Sequence, residues 1–154
     1  MNPSRTIQLN HKNAEGSIEP IEVKMLYCAA AESGFQILSG KTMDVFMPEL
    51  EQKEDGTYIV VKAAPATDMD YLQLSMSIIS AAYEADNQES PITANDILYF
   101  CTRDQVSDLV SVAMELYREW LKIPTTLEKE TKDEEGNGKG KRKNAETRSK
   151  RSKQ

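Results

Sequence analysis

Between Thr67 and Tyr83 the chain reads as one helix that is apolar on more than one face. Tyr71, Leu72, Leu74, Met76, Ile78, Ile79, Ala82 and Tyr83 are separated mainly by Ser and Gln. Such a helix cannot lie on a surface, because exposed apolar area forfeits roughly 25 cal/mol per Å² that burial would recover. It must be central, with other elements packed around it. Thr67 is placed to cap it, and Asp68 and Asp70 sit in the first turn, where the helix dipole favours anions.

A second long helix follows. Thr102-Arg103-Asp104-Gln105 has the form of a capping box. Val106, Leu109, Val110, Ala113, Leu116, Tyr117, Trp120 and Leu121 then recur at the three-and-four spacing of one face, up to a stop at Pro124. Asp104, Asp108, Glu115 and Glu119 fall on the opposite face, which predicts an acidic exterior. Thr93 can cap a short helix through Ile97, Leu98 and Phe100. Upstream, Leu26, Cys28, Ala29, Ala30, Phe35, Ile37 and Leu38 suit a helix from about Met25, weakened at Gly34 and ended by Gly40. Thr42 then opens a short helical turn through Met43, Val45, Phe46 and Met47 before Pro48.

Strand signals are fewer. Residues 6–10 alternate polar and apolar, as do residues 18–23, and the turn-prone HKNAEGS lies between them, so an N-terminal β-hairpin is expected. Asp55-Gly56 is a turn signal; the β-branched run Thr57 to Val61 after it reads as a strand or as an apolar segment over the core. The expected fold class is therefore mainly α: a small helical domain with an N-terminal β-hairpin over 1–124, followed by a disordered charged tail over 125–154.

Charge separates these two regions. The tail holds ten Lys or Arg and six Asp or Glu, for +4; nine basic and 19 acidic residues remain in positions 1–124, for −10. The body should repel phosphate backbones, so any nucleic-acid contact falls to the tail and is nonspecific. Leu127 is the one large apolar residue in the tail, too little to offset the entropy of ordering it. The basic run Lys139 to Lys153 has no aromatic residue to stack on bases. No apolar run reaches the roughly 18 residues of a membrane span, and no secretory signal opens the chain, so a soluble cytoplasmic protein is expected.

No catalytic constellation emerges. Ser39-Gly40-Lys41-Thr42 resembles the end of a phosphate-binding loop, but that pattern needs a glycine where Phe35 stands, so Gly40 reads as a helix stop. His11 is the single histidine, on an expected surface loop, and Cys28 and Cys101 read as reduced, inert thiols in apolar helical context. The expectation is a protein that is not an enzyme, with no cofactor, no metal and no small-molecule substrate. Six internal methionines, Met25, Met43, Met47, Met69, Met76 and Met114, either fill the core or mark a surface that accepts apolar segments.

Four blocks in order, Tyr27-Cys28-Ala29-Ala30-Ala31-Glu32-Ser33-Gly34-Phe35 through Ser39-Gly40-Lys41, Ser77 to Tyr83, Asp96 to Tyr99, and Leu116 to Pro124 before a charged tail, carry a resemblance over roughly Ile21 to Pro124. Together they resemble the tail assembly chaperones encoded in tail modules of Bacteroides-type phages and prophages. The resemblance implies a small helical protein that coats the tape measure protein in the host cytoplasm, keeps it soluble, leaves when tail-tube subunits polymerise, and is absent from the mature virion. Such proteins are often made in two lengths by frameshifting; this chain would be the shorter. The expected partners are the tape measure protein and the tail tube protein, with self-association left open. Met25, Phe35, Met43, Phe46 and Met47, around broken helical segments, are the candidate partner-binding residues. A nucleic-acid-associated regulator acting through the tail, and a structural tail or connector component, are the alternatives.

Overall fold

The computed structural model describes residues 2–122. In chain order these form β1 (Ser4–Lys12), β2 (Ile18–Leu26), α1 (Ala29–Ser39), a 3-10 turn at Met43–Phe46, β3 (Glu49–Gln52), β4 (Tyr58–Lys62), α2 (Asp68–Glu84), α3 (Ala94–Tyr99) and α4 (Arg103–Leu121). Helices account for about 47% of the described residues and strands for 22%, in two two-stranded sheets, so the expectation of a mainly α chain is corrected to a mixed fold of helices and hairpins. Two misread stretches cause the difference. Met25 and Leu26 continue β2 instead of opening a helix, and the charged Glu49–Gln52 pairs with β4 as a second hairpin. The expected stop at Pro124 and the charged tail over 125–154 lie outside the described residues.

By internal contacts the chain divides into two units. The larger joins residues up to Phe46 with the described residues from Pro65 to Lys122. Its β1 and β2 are antiparallel, from Ser4 opposite Leu26 to Lys12 opposite Ile18. Asn13 builds the turn, its side-chain oxygen accepting from the amides of Glu15 and Ser17, both at 2.9 Å. Leu9, Val23 and Met25 are buried while Gln8 and Glu22 are exposed, the alternation that lets one face of a hairpin cover helices. A two-stranded hairpin is marginal alone; here β2 packs on α2, and β1 on α3 and α4.

Capping fixes where each later helix starts. Thr67 with Asp70, Thr93 with Asp96 and Thr102 with Gln105 all form reciprocal capping boxes. Gln105 reaches further, because its oxygen also accepts from the Asn10 amide at 3.3 Å while its nitrogen donates to the Asn10 side chain at 3.1 Å. Asn10 in turn donates to the Phe100 carbonyl at 3.0 Å, so one side chain on β1 joins the hairpin to the start of α4. Gly40, at φ 72, ends α1 as expected, its amide donating to the Gln36 carbonyl at 2.9 Å.

The central helix is α2, with Leu74, Ile78, Ile79, Ala81, Ala82 and Tyr83 buried. Around it lies an aromatic cluster: Tyr27 stands 5.7 Å from both Tyr117 and Trp120, and Phe46 stands 4.9 Å from Phe35, 5.3 Å from Tyr71 and 6.1 Å from Tyr117. Tilted rings at these separations each add about 0.5–1.5 kcal/mol beyond their area burial.

The second unit, in its described part, is the β3–β4 hairpin within Met47–Ala64. Asp55 organises its turn by accepting from the amide and hydroxyl of Thr57 at 3.0 and 2.7 Å, with Gly56 at φ 91. Leu50, Val60 and Val61 are exposed on it.

Candidate functional site

The five candidate partner-binding residues do not form one surface. Phe35, Met25 and Phe46 are buried in the core, Met43 is half-buried against it, and Met47 alone is exposed, at 39%. The breaks in helical periodicity around Met43 to Met47 mark a tight turn that folds Phe46 inward, not a groove. Of the other methionines, Met76 and Met114 pack against the core, and Met69, like Met47, is exposed. Core filling thus accounts for most of the methionine content.

The exposed apolar surface that stands out lies on α1. Ile37 is 82% exposed and Leu38 60%. The remaining exposed positions of the helix are Ala29, Ala30, Ser33 and Gln36, so its solvent face carries no charge in a chain that is 29% charged. Glu32, its one acidic residue, is half-buried and accepts from the Tyr27 hydroxyl at 2.9 Å. Beside this face runs a groove of about 220 Å³ between α1 and α2. Ala30, Gly34, Ile37 and Leu38 line one wall, with Ser77, Ser80, Ala81 and Glu84 on the other.

The two helices run antiparallel, and small side chains set how closely they approach. A β-carbon on Gly34 would stand 3.0 Å from Ser77 Oγ and 3.3 Å from Ser77 Cβ, so what constrains this position is a tight contact and not a backbone angle. Ser77 is 5% exposed, and its hydroxyl has no hydrogen-bond partner among the described residues. A buried hydroxyl in that state costs about 1–3 kcal/mol.

An ion pair fixes the other end of the crossing. Lys41 Nζ lies 3.0 and 2.9 Å from the two carboxylate oxygens of Asp70, the same group that accepts from the Thr67 amide at 2.9 Å. Burial alone would raise the Asp70 carboxyl; the Thr67 amide, the Lys41 ammonium and the Thr67 hydroxyl together hold it below the ordinary carboxylate range. Lys41 is therefore a clamp from the end of α1 to the start of α2, which is what the phosphate-loop-like Ser39 to Thr42 does in this fold.

The remaining chemistry-bearing residues stay apart. His11 lies on β1 instead of a loop, with Nε2 3.2 Å from Glu19 Oε2. Neither cysteine is inside a helix: Cys28 precedes α1 and Cys101 lies between α3 and α4. Both are free and half-buried, and burial pushes the Cys101 thiol up. Among the described residues no three His, Cys, Asp or Glu side chains are grouped to hold a metal. No helix among them is long and apolar enough to cross a membrane.

The sequence reading placed Ile37 and Leu38 in α1 but not on its outside. The available signal was charge: one acidic and no basic residue between Ala29 and Ser39 leaves any solvent-facing side of that helix nearly neutral. In comparison with known proteins, no family model, no curated protein and no solved structure matches this chain.

Proposed function

We propose that this chain is a tail assembly chaperone that binds apolar helical segments of a phage tape measure protein, keeps them soluble in the host cytoplasm and departs before the particle is complete. The observation that carries the reading is the uncharged, exposed face of α1 with Ile37 and Leu38 beside the α1–α2 groove. An amphipathic helix is recognised by apolar side chains laid into such a groove. The order of sequence blocks from Tyr27 to Pro124 supplies the phage context. The protein acts by binding, without catalysis, cofactor or metal.

Co-expression with the tape measure protein encoded beside it tests the reading. The tape measure protein should move from the insoluble to the soluble fraction and co-purify at physiological and high salt, since apolar contacts are not screened. Recovery of nucleic acid that is lost at high salt would contradict it and move the function to the basic tail.

A further inference from the structure

We infer that the α1–α2 groove also binds a second copy of this chain across a two-fold axis, so that the free protein covers its own partner-binding face. The surface is complementary to itself. It carries a knob, Ile37 with Leu38, and a hollow floored by small residues, Ala30 and Gly34 on α1 with Ser77 and Ala81 on α2. Knob and hollow are displaced along α1, from residues 30–34 to residue 37. A two-fold axis perpendicular to α1 places each copy's knob in the other's hollow, the arrangement an isologous interface requires.

Charge selects a second copy as the occupant. Residues 1–124 carry −10, so copies repel over most of their surface. The exposed positions of α1 are uncharged, and two copies can meet there without opposing like charges. One acidic and one basic side chain flank the groove, the basic one also paired with Asp70 of its own chain. Glu84 lines the end near Ala30, exposed and without an ion-pair partner among the described residues, while Lys41, whose side chain is 42% exposed, follows α1 at the other end. In an antiparallel crossing each Lys41 approaches the other copy's Glu84, at both ends. The buried Ser77 hydroxyl without a partner lies at the floor of this surface.

The dimer stands on this geometry alone; its regulatory meaning rests on the chaperone reading. A helix of the tape measure protein would compete with the second copy for one face, so the chain would stay soluble while waiting and open only where a partner helix is present.

Analytical ultracentrifugation of the full chain over a concentration series tests the dimer. The wild type should pass from monomer to dimer. Ile37→Asp, at an exposed position, should remain monomeric and melt like the wild type at concentrations where the wild type is itself monomeric, and Glu84→Lys should raise the dimer dissociation constant roughly fivefold at low salt. Register is tested in a Cys28→Ser, Cys101→Ser background carrying either Ala30→Cys or Ile37→Cys. A mixture of the two proteins should form an inter-chain disulfide on oxidation, and neither alone should, because positions 30 and 37 are about 10 Å apart along the helix. A wild type monomeric at every concentration, or an Ile37→Asp protein that dimerises like wild type, overturns the inference whether or not the tape measure protein is captured. A dimer with this register that captures no tape measure protein supports the inference and overturns the chaperone reading instead.

Discussion

Gly34 and Ser77 meet where α1 crosses α2, so closely that a β-carbon at position 34 would stand 3.0 Å from the Ser77 hydroxyl, which has no hydrogen-bond partner among the described residues. Two costs converge at this point: a glycine inside a helix, worth about 1 kcal/mol against alanine, and a buried unsatisfied hydroxyl. Ser77→Ala should stabilise the fold by about 1 kcal/mol. Gly34→Ala alone should be near neutral, since its propensity gain meets a tight contact, but it should become stabilising when combined with Ser77→Ala. Gly34→Val should destabilise by about 1–3 kcal/mol through overpacking. Urea denaturation of the four variants checks these signs.

The Lys41–Asp70 clamp makes a pH prediction. Asp70 is held below the ordinary carboxylate range when folded, so its contribution is complete above about pH 4 and is lost as pH falls through the lowered folded value. Asp70→Asn should lower stability at neutral pH by about 1–2 kcal/mol, because the ion pair to Lys41 is lost and a neutral amide oxygen replaces the charged acceptor at the cap, and should flatten the acid limb of the stability curve. Chemical denaturation of both proteins between neutral and acidic pH reads the difference. An acid limb identical in the two would show that other carboxylates carry the loss.

The Asn10–Gln105 contact predicts energetic coupling between β1 and α4. Thr102→Ala should cost about 1 kcal/mol as a simple cap deletion. Gln105→Ala should cost more, because it also removes the partners of the Asn10 amide and side-chain oxygen. In a double-mutant cycle, Asn10→Ala and Gln105→Ala should be non-additive by roughly 0.5–1.5 kcal/mol.

Phe46 and Ile37 should behave oppositely. Phe46 packs against Phe35, Tyr71 and Tyr117, so Phe46→Ala should cost about 3–5 kcal/mol and Phe46→Asp should prevent folding. Ile37→Asp should change stability by no more than about 0.5 kcal/mol. Thermal melts followed by circular dichroism separate the two.

The starts of α2, α3 and α4 were legible in the sequence because capping is local: Thr67, Thr93 and Thr102 all sit where residues three positions on can answer them. The central place of α2 followed from its apolar girth. Strand extents were less legible. Met25 and Leu26 suit either a helix start or a strand end by side chain alone, and pairing opposite Arg5 and Ser4 decides between them. Glu49–Gln52 carries no apolar alternation, so only its pairing with Tyr58–Lys62 identifies it. The site was least legible. Periodicity assigns Ile37 and Leu38 to a helix whose opposite side supplies Ala31 and Phe35 to the core, and which side faces out depends on where α2 crosses.

The most direct test of the chaperone reading is capture of the tape measure protein by wild type and by Ile37→Asp, at physiological and at high salt. Wild type should retain it at both salts, and Ile37→Asp, folded to the same melting temperature, should lose it at both. Equal retention by the two proteins would contradict the assignment of the α1 face, and no retention by either would contradict the function itself.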